Sequence, residues 1–252
     1  MLEALFAAAR RAGTRCFRTE RYEGVADWLV LFGVGHAERA PARTAHVQSG
    51  RHAILWDLGY FGRKKLEGYC RTSIDADHPQ AWLDKTPNDA SRWNAHSIAL
   101  QEDYDPKGHI VLVGLGYKSR VYLGLTNWEQ TKLAELRQRF PDRKIIYRPK
   151  PRRPSPKHSW PKLDCSTDST SPIRTLLDGA SLVVCRHSNV AIDATIAGIP
   201  FESEDGAAMW LLQRPFTPEN RLTFLHKLSW WQYRQEEAEK AWIFLTDILE
   251  VA

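Results

Sequence analysis

The chain has 252 residues, 43% of them apolar and 26% charged, with a formal net charge of +5. That is the composition of a soluble globular protein, long enough for one large or two small α/β domains with real cores. No apolar run approaches the length that spans a bilayer, and the mild basicity points to an anionic partner.

Residues 2–12 predict a short amphipathic helix, with Glu3 ahead of the apolar part and the basic residues behind it. That order is wrong for a secretory signal. Residues 25–32 (VADWLVLF) predict a buried strand that ends at Gly33-Val34-Gly35-His36. Glu38 breaks any G-x-G-x-x-G fingerprint there. A helix over 39–49 follows. Strands over 52–56 (HAILW) and 69–74 (YCRTSI) come next. The first ends in Asp57-Leu58-Gly59-Tyr60-Phe61-Gly62-Arg63 and the second in Asp75-Ala76-Asp77-His78-Pro79. Polar residues after successive strands are where α/β folds place their sites. Asp57, Asp75, Asp77 and His78 are therefore candidate bases for a hydroxyl nucleophile. The plainer alternatives are a turn cap before Gly59 and an Asx-turn entering His78-Pro79.

A turn-rich stretch over 80–106 ends at Asp105-Pro106-Lys107-Gly108, and a new strand begins at 109–113 (HIVLV). This restart predicts domains over 1–107 and 108–229, with 230–252 returning to the first. The strand ends in Gly114-Leu115-Gly116-Tyr117-Lys118-Ser119. A helix over 126–140 and a strand over 144–147 (KIIY) follow. The strand runs through Arg148-Pro149-Lys150 into a basic stretch: residues 143–162 hold eight Lys or Arg, five Pro and no acid. Such proline density excludes a helix or a central strand. The stretch reads as a solvated linker or as a phosphate-facing loop, with Arg152, Arg153 and Lys157 at hand.

A short helix over 171–178 leads to an apolar run, Leu182-Val183-Val184-Cys185, that stops at Arg186-His187-Ser188-Asn189. A helix pattern (VAIDATIAG) follows, and Gly198-Ile199-Pro200-Phe201 opens the next extended piece. A helix that starts on Ser-Asn beside Arg and His suits a phosphate or diphosphate. Asp193 lies one turn further on the same side, where a carboxylate can accept ribose hydroxyls. Gly114, Gly116, Lys118, Ser119, Arg148 and Lys150 end two other strands of the same half, so the three groups predict one shared anion site. Short helices over 205–212 and 218–228 precede one long amphipathic helix over 230–250. Its apolar face is Ala238, Ala241, Trp242, Leu245, Ile248 and Leu249. The ten Trp serve packing or stacking on sugars and bases. The four Cys have no metal-type spacing and read as reduced thiols of a cytoplasmic protein.

In the order and spacing of GLGYKS, YRPKP and HSNVAIDATIAGIPFESEDG, the chain resembles GT-B glycosyltransferases. That resemblance implies an α/β protein with two Rossmann-like domains facing a cleft and a C-terminal helix crossing back to the first domain. It implies that His187, Ser188 and Asn189, with Arg186, Arg148 and Lys150, hold the diphosphate of a nucleotide-sugar such as a UDP-sugar, and that Asp193 takes the ribose. No metal is required in such enzymes. The GVGH, DLGYFGR and DADHP pieces, with the WWQYRQEEAEKAW end, resemble small bacteriophage glycosyltransferases that modify hydroxymethylpyrimidines in DNA. On that likeness the acceptor is double-stranded DNA met by His36, Arg39, Tyr60, Arg63, Arg152, Arg153 and Lys157. The protein would act as a monomer in the cytoplasm of a bacterial host. A flipped base would then meet spare aromatics, Tyr60, Phe61 and Trp160. Two alternatives stand beside this: a transferase of cell-surface polysaccharide, and a non-catalytic nucleic-acid-binding module that retains the fold.

Overall fold

The computed structural model describes residues 1–33, 38–62, 68–116, 119–120, 123–150 and 160–250. His36, Arg63, Lys118, Arg152, Arg153 and Lys157 lie outside the described residues. The elements run α1 (Leu2–Arg11), β1 (Trp28–Phe32), α2 (Arg39–Gln48), β2 (His52–Leu58), β3 (Cys70–Ile74), α3 (Ser91–Asn94) and β4 (His109–Val113). Then come α4 (Trp128–Arg139), β5 (Ile145–Arg148), β6 (Ser166–Thr167), α5 (Ile173–Leu177), β7 (Ala180–Val184), α6 (Val190–Ala197) and β8 (Phe201–Glu202). The chain ends with α7 (Met209–Leu212), α8 (Pro218–Ser229), β9 (Gln232–Tyr233) and α9 (Ala238–Glu250).

Two compact units result, residues 1–98 with 223–252 and residues 99–222. The division falls before the 107/108 step expected from sequence, and the return falls within α8. The reason is local bonding in the second unit. Gln101 and Asp103 donate their backbone N–H groups to Ile196 O and Ala197 O at 2.9 and 2.8 Å, and Asp105 donates to Ala180 O at 3.2 Å.

Unit 1 is built on a four-stranded sheet of order β1-β2-β3-β9. Its β1 and β2 are parallel, but β2–β3 and β3–β9 are antiparallel. A Rossmann-like first half therefore holds only for β1-α2-β2. The connection over residues 59–69 is too short for the crossover that a parallel partner needs. It closes as a hairpin instead, with Gly59 N–H donating to Tyr69 O at 2.8 Å. A Cβ on Gly59 would lie 2.5 Å from that same oxygen, so the close approach requires glycine.

The long helix expected over 230–250 starts only at Ala238. Ahead of it, Gln232–Tyr233 joins β3 as an edge strand. The Gln232 side chain, fully buried, explains this. Its Oε1 accepts the N–H groups of Tyr60 and Phe61 at 2.8 and 3.0 Å, and its Nε2 meets His96 Nε2 at 2.9 Å. One amide thus ties β9 to the hairpin after β2. Beyond it, α9 packs on α1, and Ala241 and Leu245 on its apolar face are fully buried.

Unit 2 holds a five-stranded, all-parallel sheet of order β6-β5-β4-β7-β8. Numbered from β4, that is the 3-2-1-4-5 order of a doubly wound fold, whose direction of winding reverses between β4 and β7. Continuous apolar runs, IVLV in β4 and LVV in β7, are what a sheet covered on both faces demands. The protein is thus a mixed α/β chain, with a fully parallel sheet in one unit and a mixed sheet in the other.

Helix α6 is closed at its carboxyl end by two devices. Gly198 takes the left-handed conformation, φ 79°. Arg221, 2% exposed, donates to Thr195 O at 2.8 Å, Gln101 O at 2.7 Å and Glu102 Oε1 at 2.6 Å. Replacing Arg221 by Ala leaves several buried carbonyls without a donor. The expected loss is roughly 3 kcal/mol, read as a lower urea midpoint.

His96 supplies a second test. Burial, with Arg92 adding to it, holds its imidazole down to about 4 from the ordinary 6.5. The unfolded chain therefore binds this proton more readily than the folded one. The contribution is intact above pH 6.5 and is lost as the pH falls towards about 4. Across that window the urea midpoint of the parent protein should fall more steeply than that of His96→Gln.

Candidate functional site

The carboxyl ends of β4 and β7 lie side by side at the reversal of winding, where doubly wound sheets bind ligands. The turn after β4 is held tightly. Gly114 N–H donates to Arg148 O at 2.8 Å, continuing the ladder. A Cβ on Gly114 would lie 2.6 Å from the Tyr147 hydroxyl, which leaves no room for any other residue. Leu115 N–H donates to Glu129 Oε1 at 2.9 Å, and the Arg120 guanidinium pairs with the same carboxylate. Glu129 is fully buried. Burial, together with the Glu129 charge, pushes the Tyr147 phenol well above its ordinary range.

On this braced turn, three of the groups named from sequence come together. The Ser119 hydroxyl lies 3.0 Å from His187 Nε2, which joins the loop after β4 to the loop after β7. The Lys150 side chain runs beside Gly116; a Cβ there would sit 3.4 Å from its Cδ and 3.8 Å from its Nζ. Gly206, φ 105°, lets the chain pass close to His187, whose Cα would be 3.4 Å from an added Cβ.

The helix start differs in detail from expectation. Val190 N–H donates to Ser188 Oγ at 3.3 Å, and Ala191 and Ile192 donate to Ser188 O and Asn189 O at 3.1 and 3.0 Å. Ser188, not Asn189, makes the side-chain contact to this turn, and Asn189 itself has helical dihedrals. The first turn therefore presents its dipole and its side chains, with these three N–H groups already engaged. Asp193 stands one turn along, half-buried.

Two expected phosphate ligands are turned elsewhere. Arg148 donates to Asp168 O at 3.1 Å and lies 3.6 Å from its carboxylate. Bonds from Ser171 and Thr170 hold that carboxyl down to about 2. Arg186 lies 3.7 Å from Glu204, whose other oxygen accepts Trp128 Nε1 at 2.9 Å and Lys132 at 3.1 Å. The Arg guanidinium is drawn to a carboxylate wherever one is in reach. Sequence reasoning missed Glu129, Arg120 and Glu204. Glu129, three residues into the helix predicted over 126–140, carries no mark in sequence of being wholly buried.

In unit 1 the candidate bases do not form one group at a common strand edge. Because β3 is antiparallel, Asp75 sits at the start of β2, opposite the end that bears Asp57. There it accepts Ala53 N–H and pairs with His52 Nδ1, both at 2.8 Å, with φ 64°. It is a turn residue. Asp57 accepts Leu58 N–H at 2.8 Å and lies 3.4 Å from Arg71. The chain then folds back, bringing His78, 5% exposed, to Arg71 at 2.7 Å and to the Tyr60 hydroxyl at 3.2 Å. Asp77 pairs with Arg43.

The expected contacts to a base are corrected in part. Tyr60 and Phe61 are 1% and 4% exposed, so they are core residues and no stacking platform. Burial raises the Tyr60 phenol to about 12. Arg39 donates to Phe32 O. Trp160, half-buried, donates its Nε1 to Lys150 O at 2.9 Å. Among the described residues no cluster of His, Cys, Asp and Glu could hold a metal, and no helix is long and apolar enough to cross a membrane.

Neither a family model nor a curated protein matches the sequence. Among solved structures that resemble it is the beta Kdo 2,7 transferase KpsC of Thermosulfurimonas dismutans. It is 13% identical, with 87% of this chain and 85% of that chain aligned at a TM-score of 0.40. A likeness so distant carries no weight for activity, and the chemistry rests on the residues themselves.

Gly114→Ala tests the packing of the turn. It should cost about 1–3 kcal/mol in thermal or urea unfolding, because the new methyl collides with Tyr147. Adding Tyr147→Phe, which removes the nearest atom, should return part of that loss.

Proposed function

We propose that unit 2 binds the diphosphate of a nucleotide-sugar and that the protein is a glycosyltransferase. The observation that carries this reading is the Ser119–His187 contact at the β4/β7 reversal, with Lys150 beside Gly116. A serine, an imidazole, an ammonium and a helix N-terminus then lie at the ends of neighbouring parallel strands, the setting in which doubly wound sheets hold phosphates.

In the reaction, the bond between the anomeric carbon and the diphosphate oxygen breaks as the acceptor oxygen bonds to that carbon. The nucleoside diphosphate leaves with the electron pair, and the acceptor's proton passes to a base. Lys150, His187 and the dipole of α6 stabilise the leaving charge. Asp193 is the partner for the ribose hydroxyls. Of the candidate bases, Asp57 and Asp77 keep 47% of their side chains exposed, while Asp75 is engaged in its turn and His78 is buried. Asp77 and Asp57 are therefore the first to test. The donor we favour is a UDP-sugar. The acceptor we favour is a hydroxymethylpyrimidine in double-stranded DNA, supported by the net charge of +5 and the basic, proline-rich stretch over 143–162.

Full-length protein incubated with hydroxymethylated DNA and a panel of nucleotide-sugars, read by nucleoside mass spectrometry, should add the mass of one sugar. His187→Ala and Lys150→Ala should each weaken UDP binding by about ten-fold or more. Sugar release from a UDP-sugar without any gain in DNA mass would remove the DNA acceptor and keep the transferase. No binding of any nucleotide or nucleotide-sugar would overturn the reading altogether.

A further inference from the structure

A cavity of about 740 Å³ lies within unit 1, lined on one side by the segment bearing Lys85 and Arg92 and on the other by α9. That volume suits a small molecule. Its rings are Tyr69, Trp230, Tyr233 and Phe244. The Phe244 centroid lies 5.8 Å from that of Trp230 and 6.2 Å from that of Tyr233. Ile243 extends the apolar surface and is 55% exposed.

The charges around this surface fall into two kinds. Arg92 is engaged: it donates to Gln232 O at 2.7 Å, Ser229 O at 3.2 Å and Glu237 at 3.2 Å, and it stacks on Tyr233 at 4.2 Å. Lys85 and Lys240 have no carboxylate partner among the described residues. The Lys85 ammonium rests 5.3 Å over the Trp82 ring. Asp247, seven residues along α9 from Lys240, is likewise unpaired among the described residues.

We propose that this cavity binds a phosphorylated ring compound. The flat apolar face of the ring packs on Trp230, Tyr233 and Phe244. The phosphate dianion meets the two point charges of Lys85 and Lys240, and a ring hydroxyl donates to Asp247. The site shares no residue with the strand-end groups of unit 2 and does not depend on the transferase reading.

Titration calorimetry on the full chain tests this with adenosine 5′-monophosphate, glucose 1-phosphate and adenosine. At least one phosphate should bind, and adenosine should bind about ten-fold more weakly or not at all. The preferred phosphate tells whether the ring is a base or a sugar. Lys85→Ala with Lys240→Ala should weaken binding by about ten-fold or more, with an unchanged thermal melt. Ile243→Trp, at an exposed position, should do the same by filling the cavity. His187→Ala should change nothing. The proposal is overturned if neither phosphate binds, if binding survives the double lysine variant or Ile243→Trp, or if His187→Ala abolishes it.

Discussion

Glu129 is the fixed point of unit 2. A wholly buried carboxylate must be matched by donors, because its desolvation is costly. Its donors are the N–H of Leu115 and the guanidinium of Arg120, which come from the turn after β4 and from the segment just beyond it. Helix α4, the glycine turn and residues 119–120 are thereby held to one position. Ser119 is the immediate neighbour of Arg120, so its approach to His187 follows from an ion pair that touches no ligand. Arg221 does the corresponding work at the far end of α6, leaving the helix little freedom to slide.

The parallel sheet of unit 2 was legible because each of its long strands is a continuous apolar run ending in glycine or polar residues. Elements β4, β7, α4 and α6 lie within a few residues of where the pattern puts them. Unit 1 was less legible for two physical reasons. Strand direction is not written in a five-residue strand; the clue was the short link over 59–69, too short for a crossover. The aromatic run WWQY reads equally as the start of an amphipathic helix or as an edge strand. The decision between them lies in Gln232, whose amide meets partners far away in sequence. Burial of single polar residues, Gln232 and Glu129 above all, was out of reach for the same reason.

The aromatic richness of the chain resolves largely into packing. Trp56, Trp93, Trp128, Trp210, Trp231 and Trp242 are all nearly inaccessible, and Tyr60 and Phe61 join them. Trp56, Trp93, Trp231 and Trp242, with Tyr60 and Phe61, lie in unit 1, where rings of this size supply much of the apolar burial beside a sheet of only four strands. The likeness to DNA-modifying transferases made the pair read as spare aromatics for a flipped base. The amide of Gln232 turns the hairpin inward instead, and the two rings follow their backbone into the core.

Counting cations along the sequence treats Arg and Lys alike, and the structure separates them. In unit 2, Arg120, Arg137, Arg139, Arg148, Arg174, Arg186 and Arg221 all stand against carboxylates. Arg139 does so in fork geometry, at 3.0 and 2.6 Å to the two oxygens of Glu202. A planar guanidinium matches a carboxylate at two points, so the fold draws it into structural pairs. The groups at the glycine turn are of the other kind: a compact ammonium, Lys150, and an imidazole, His187. Neither can form that fork. The same division holds in unit 1, where Arg92 braces the wall of the cavity and the two lysines face it. Lysine is not excluded from structural pairing, since Lys132 lies 2.9 Å from Glu135 and 3.1 Å from Glu204, but its point charge meets them one oxygen at a time, where the guanidinium of Arg139 spans both oxygens of Glu202.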